Sequence, residues 1–153
     1  MTRTGFGVVR SSATGPVAVR VGVLATDPSR PMPQRLAELA DDLDALIAEV
    51  APDVVALERV FVRRDLTSAM AVARASGVAM VCAARAGLAL HEYTPSQVKA
   101  TVAGDGAADK AMVGAMVARR LGLAEVPRPA DAADALAVAL CHLQQGRFGA
   151  AAS

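Results

Sequence analysis

Aromatic residues are nearly missing from this chain: one Tyr, three Phe and no Trp among 153 residues. Cysteine is scarce too, and Cys82 and Cys141 both fall in apolar helical patterns. Two such thiols, without metal-ligand spacing, exclude a disulfide framework and a zinc site and point to buried groups in a reducing compartment. Charge of one sign is also lacking. Sixteen Lys and Arg against fifteen Asp and Glu leave a formal +1. The total therefore announces no nucleic-acid binder, and any phosphate-binding face has to come from local clustering. The longest charge-free apolar run, Ala75 to Ala84 between Arg74 and Arg85, is too short to span a membrane. The opening "MTRTGFGVVR" has no apolar signal core, so a cytoplasmic protein is expected.

What the chain has in quantity is Ala, Val and Leu, within a 54% hydrophobic composition. That supports one ordered, tightly packed α/β domain rather than a disordered segment. With no repeats and no linker, the domain is drawn over residues 1–145, and "GRFGAAAS" at 146–153 is expected to fray.

"GFGVVRSSATGPVAVRVGVLAT" reads as a β-hairpin, with Val17, Val19, Val21 and Val23 alternating and "SATGP" supplying the turn. From Pro33 to Val50, Leu36, Leu39, Leu43, Leu46, Ile47 and Val50 share one face of an amphipathic helix, with Asp41, Asp42, Asp44 and Glu49 toward water. "DVVALE" does not alternate, which suggests a parallel strand covered on both faces. A long helix from about Leu66 to Ala86, a strand at "LALHEYT" and a helix capped by Thr94 or Ser96 follow. Helices from Asp109 to Leu121 and over "PADAADALAVALCHLQQ" complete the pattern. The order implies a mixed α/β sheet covered by helices, whose sites lie beyond the C-terminal ends of parallel strands. Glu58 stands at such an end.

Few residues can carry chemistry. His91 and His142 are isolated, no Ser has a His partner, and no GxGxxG or phosphate-loop motif occurs. Asp131 and Asp134 are neighbours on one helix face. Asp131 alone fits a helix cap or a dipole partner. Asp134 lies past the cap and resists that account. With Glu58, itself explicable as a solvated strand end, they make a three-carboxylate set suited to Mg²⁺ and phosphodiester hydrolysis. Phe61 between Arg59 and the pair Arg63 and Arg64 fits base stacking with phosphate contact, or a core Phe beside surface arginines. Lys99 and Lys110, taken singly, are ordinary surface lysines.

In their order and spacing, "ALERVFV", "HEYTPSQVKATVAGDGAADK" and "PADAADALAVALCHL" resemble RuvC-type Holliday junction resolvases. The likeness runs from residue 1 to about His142. It implies a ribonuclease H-like fold, a homodimer, and two Mg²⁺ ions used to nick opposite strands of a four-way DNA junction. By the same resemblance Glu58, Asp131 and Asp134 are metal-binding catalytic carboxylates and Phe61 stacks on an opened base. Lys99 and Lys110 approach the scissile phosphate, with Arg63 and Arg64 as further DNA contacts. The implied partners are a branch-migration helicase and its junction-binding subunit. The chain departs from the family at its start. Family members open with a strand ending in "DPG" before a stretch like "LTRTGFGVV", and here Met1 stands in place of that Leu. A central first strand and its aspartate are thus expected to be missing, through truncation or a misassigned start, and cleavage by this chain is expected to be weak. The alternatives are a junction-binding protein without cleavage and a ribonuclease H-like nuclease acting on RNA.

Overall fold

The computed structural model describes residues 3–60 and 66–151, with side chains to residue 146. Strands β1 (Arg3–Ser12) and β2 (Gly15–Ala25) form the expected antiparallel hairpin. Its register breaks between Val8 and Val9, where Val8 faces Arg20 and Val9 faces Ala18. Val19 is therefore an extra residue with no partner, a β-bulge that resets which side chains point inward. The simple alternation of valines fails for that reason: Val19 and Val21 are exposed, while Val9 and Ala18 pack on the core.

Helix α1 (Met32–Val50) follows, then β3 (Val54–Glu58), α2 (Leu66–Arg85) and β4 (Ala89–Tyr93). β3 and β4 pair in parallel, Val54 opposite Ala89 and Glu58 opposite Tyr93. Helices α3 (Pro95–Ala103), α4 (Lys110–Leu121) and α5 (Ala130–Ala151) complete the chain. α5 thus continues as helix through residues 146–151, where the sequence suggests fraying.

The hydrogen-bonded strands form two separate two-stranded sheets, and no described strand joins β1–β2 to β3–β4. This has a cost in burial. Val54, Val55, Ala56 and Leu57 are all only half-buried, which corrects the expectation that β3 is covered on both faces. α5 is the element that packs on all four strands. The core lies along it: Leu136, Ala137, Leu140 and Cys141 meet Val98 and Val102 of α3, Val113, Val117 and Leu121 of α4, and Tyr93. β1 reaches this helix closely because Gly5 and Gly7 face it. A Cβ on Gly7 would lie 2.8 Å from the Leu136 side chain, and one on Gly5 would collide with the Asp131 carbonyl.

α1 and α2 pack on each other, with Leu39 and Cys82 fully buried. Asp44 ties to Arg85 across this pair at 3.4 Å and Glu49 pairs with Arg20 of β2, with both acidic side chains open to water as expected. α2 departs further from expectation. It is 20 residues long and is the one helix among the described residues apolar enough, by length and composition, to cross a membrane. Counting only the charge-free run from Ala75 to Ala84 underestimates it. Within this one copy one side stays uncovered: Leu66, Met70, Val72, Met80 and Val81 are exposed.

The core assignment makes a prediction about stability. Leu136→Ala should cost about 2–5 kcal/mol, since a fully buried side chain in the α5 core leaves a cavity. Met112→Ala, on the exposed face of α4, should stay within about 0.5 kcal/mol. Urea unfolding of the two variants checks this, and equal losses would contradict the placement of the core.

Candidate active site

Three elements bring the acidic residues to one end of the fold. Glu58 closes β3, and its neighbour Arg59 donates its backbone N–H to the Tyr93 carbonyl at 2.7 Å, so the strand pairing extends just past the carboxylate. Asp131 lies in the first turn of α5, which begins at Ala130. It is therefore inside the helix rather than at its cap position, where it complements the helix dipole. Asp134 follows one turn later on the same face. The flush contact of Gly5 with the Asp131 backbone sets the start of α5 against β1.

The basic residues arrive on the next two helices. Thr94 caps α3, accepting from the Gln97 backbone at 3.1 Å, while the Gln97 side chain accepts from the Thr94 N–H at 2.8 Å. This reciprocal capping box settles the choice between Thr94 and Ser96. It fixes the short helix that carries Lys99. Asp109 caps α4 by accepting from the Met112 N–H at 2.8 Å, and Lys110 is the first residue of that helix.

Lys110 Nζ donates to Asp134 Oδ2 at 2.8 Å. That bond, with the charges of Asp134, Asp131 and Glu58, raises the lysine's pKa, so all three carboxylates act on this one ammonium. Glu58 responds differently. Partial burial of its carboxyl raises its pKa, the charge of Asp134 raises it further, and Lys110 and Lys99 pull it back. Glu58 and Asp134 are thus a repelling pair held in check by two lysines. A cation between them would remove the repulsion.

Among the described residues no three His, Cys, Asp or Glu side chains gather as a metal-holding group. The three-carboxylate set expected from sequence is therefore not closed around one point. Glu58 and Asp134 form the coupled pair, and Asp131 joins them through Lys110. These oxygen donors still fit a hard cation such as Mg²⁺, which commonly takes one or two carboxylates and keeps several waters. Lys110 is exposed as expected, but Lys99 is half-buried. Phe61, Arg63 and Arg64 lie outside the described residues.

His91 and His142, isolated in the sequence, come together behind Glu58 in the fold. Tyr93, its cross-strand partner, hydrogen-bonds His142 Nδ1 at 2.7 Å, and the His142 ring lies 4.8 Å from that of His91. Burial, and then His91, lower the pKa of His142, favouring its neutral form. The available signal was spacing: "LHEY" places His91 and Tyr93 on one face of β4.

Helix-backed strands with Glu58 at the end of β3, Asp131 and Asp134 at the start of α5, and lysines facing them fit the ribonuclease H-like class of nuclease. Comparison with known proteins narrows the class. A family model described as crossover junction endodeoxyribonuclease RuvC matches residues 1–142. A protein of that name from a Nocardioides species is 53% identical over 147 residues, covering 95% of this chain and 83% of the relative. One from Salinispora arenicola is 51% identical over 147 residues, covering 95% and 84%. A solved Thermus thermophilus RuvC structure superposes with a TM-score of 0.87 at 35% identity, covering 97% of this chain and 91% of that one. The same TM-score of 0.87, at 34% identity and 97% and 90% coverage, relates it to T. thermophilus RuvC in complex with a Holliday junction substrate. The chain belongs to the RuvC family of crossover junction endodeoxyribonucleases.

Because Lys110 occupies Asp134, it competes with any cation there. Lys110→Met should tighten Mg²⁺ binding by up to about fivefold, the size of an exposed ion pair worth about 1 kcal/mol. Calorimetric titration with Mg²⁺ measures this. Weaker binding in the variant would show that Lys110 orders the carboxylates instead of opposing the ion.

Proposed function

We propose that this protein cuts four-way DNA junctions by Mg²⁺-dependent hydrolysis, placing paired nicks in opposing strands. The observation that carries the reading is the 2.8 Å Lys110–Asp134 ion pair set beside Glu58 at the C-terminal end of β3, in a chain of the RuvC family. Glu58 and Asp134, with Asp131 beside them, would hold the metal, with two ions per site. Bound there, Mg²⁺ supplies charge stabilisation at the attacking and leaving oxygens of an in-line displacement. The chain's own residues do the rest. Glu58, Asp134 and Asp131 would hold the cation beside which the scissile phosphate is placed. Lys110, released from Asp134, places its positive charge near the phosphate, where negative charge builds in the transition state. Lys99 adds a second cation from α3. Phe61 would stack on an opened base at the junction centre, and Arg63 and Arg64 would contact the backbone nearby.

Glu58→Gln and Asp134→Asn should each lower junction nicking by at least about a hundredfold while leaving junction affinity within a few-fold. That separation is expected of groups that act on charge arising in the transition state. Gel shift and cleavage on a synthetic junction, a linear duplex and an RNA hairpin test the reading. Preference for the RNA hairpin, or no preference for the junction, would overturn it. A second reading, junction binding with little cleavage, is favoured by the absence of a closed three-carboxylate group among the described residues. It predicts a junction gel shift without nicks from the unsubstituted protein.

A four-way junction presents two equivalent strands, and a two-fold dimer matches that symmetry. The exposed face of α2 supplies a surface for it. Leu66, Met70, Ala73, Gly77, Met80, Val81 and Ala84 recur at helical spacing along one stripe. A Cβ on Gly77 would meet nothing within 4 Å, so no neighbour in the fold requires a glycine there, and glycine costs about 1 kcal/mol against alanine in a helix. A second helix crossing at Gly77 accounts for it. The kinship also makes a branch-migration helicase and its junction-binding subunit the proposed partners. Light scattering at micromolar concentration should give a dimer, and Gly77→Leu a monomer. A monomeric unsubstituted protein would refute the dimer.

A further inference from the structure

Beside Asp134 lies a cleft of about 330 Å³ whose lining includes Lys110, Asp134, Arg128, Val113, Val126 and Ala133. Its form follows from one close approach. Gly114 of α4 lets the segment before α5 come so near that a Cβ there would sit 2.9 Å from Val126 Cγ1. The cleft therefore has a fixed wall, and Arg128 stands on that wall.

The charges of the cleft do not cancel. Lys110 and Asp134 neutralise each other in a direct ion pair. Arg128 is exposed and enters no ion pair among the described residues. One positive charge is left over, on a side chain whose planar fork matches phosphate oxygens two at a time. Val113, Val126 and Ala133 offer the rest of the lining no polar partner, which suits the apolar face of a sugar. The volume is at the lower end of that of small-ligand sites, enough for a single sugar-phosphate unit. The cleft also shares Asp134 and Lys110 with the carboxylate end of the fold, so a strand whose phosphate lies at those carboxylates continues directly into it.

We infer that Arg128 binds a backbone phosphodiester adjacent to the one at Glu58 and Asp134, and that this cleft seats the neighbouring nucleotide of the cut strand. The inference rests on the junction-nuclease reading. Arg128 then holds the strand in register with the carboxylates, and its loss weakens binding and cutting together. It carries no base recognition, because a phosphate contact reads no sequence.

The test is the salt dependence of junction binding, measured without divalent metal so that cutting does not intervene. Each phosphate contact contributes a slope of about 0.9 in log affinity against log salt. Arg128→Gln should lower the slope by about that amount. A fourfold rise in salt then costs the variant about 3.5-fold less affinity than it costs the unsubstituted protein. Arg128→Lys, which keeps the charge, should restore the slope. Arg10→Gln is the control for net charge, since Arg10 lies five residues along β1 from the Gly5 contact, roughly 17 Å away. Its slope should be unchanged. Equal slopes for Arg128→Gln and the unsubstituted protein would overturn the inference while leaving the junction reading intact. So would equal slope changes in the Arg10 and Arg128 variants. Failure of the unsubstituted protein to bind the junction would overturn both. Thermal unfolding of each variant identifies any that is misfolded, and if Arg128→Gln is one, the slope of Arg128→Lys decides: a slope lowered by a full contact refutes the inference, a retained slope supports it.

Discussion

Helix α5 has to lie against four strands that do not form one sheet, and the rest of the structure follows from how it manages this. β1–β2 and β3–β4 share no hydrogen-bonded ladder, so packing on a common helix must set their relative position. Small residues make that contact close. Ala132, Ala133 and Ala137 are buried along α5, and Gly5 and Gly7 remove the side chains that would hold β1 away. The same contact fixes Asp131 and Asp134, because the first turns of the helix cannot shift without lifting β1. Site geometry and core packing are therefore one constraint.

The acidic end of the fold would be unstable without its lysines. Glu58 is an exposed residue whose carboxyl is partly desolvated and repelled by Asp134, and both effects favour its protonated form. Lys110 and Lys99 oppose them from helices whose starts are fixed by the Asp109 and Thr94 caps. This leaves Glu58 and Asp134 within reach of each other's charge, with Asp134 paired to the Lys110 ammonium. A cation at Asp134 would have to displace Lys110 from that carboxylate, and the freed ammonium would then be available to an incoming phosphate.

Much of this was legible before any coordinates, and the reasons differ residue by residue. Helix α1 declares itself by the spacing of Leu36, Leu39, Leu43 and Leu46, and α3 by "TPSQ", because periodicity and caps are local properties. Asp134 stood out because nothing local explains a carboxylate in the second turn of an alanine-rich helix. The bulge at Val19 was hidden, since alternation within one strand says nothing about the partner's register. The exposure of β3 was hidden for a related reason. An apolar run records what could be buried, not what is present to bury it. The Lys110–Asp134 bond joins residues 24 apart on different helices, beyond any single-segment pattern. That Glu58, Asp131 and Asp134 act together came from the order of three motifs, and the incomplete convergence of the three could only be read from the folded chain.

The near-zero net charge is the last apparent obstacle to a DNA-cutting protein, and the fold removes it. Five of the fifteen acidic residues, Glu38, Asp41, Asp42, Asp44 and Glu49, lie on α1. That helix packs on α2 and β2 rather than on the helices that carry Lys99 and Lys110. Asp44 and Glu49 are further tied to Arg85 and Arg20. At physiological salt, charges more than about 8 Å apart at the surface are largely screened from one another. A phosphate approaching the end of β3 therefore meets Lys99, Lys110 and Arg128 among carboxylates that include Glu58, Asp131, Asp134 and the Asp109 beside Lys110, and a bound divalent cation would add positive charge there. The total of +1 averages the acidic α1 with an end of the fold where lysines stand against the carboxylates.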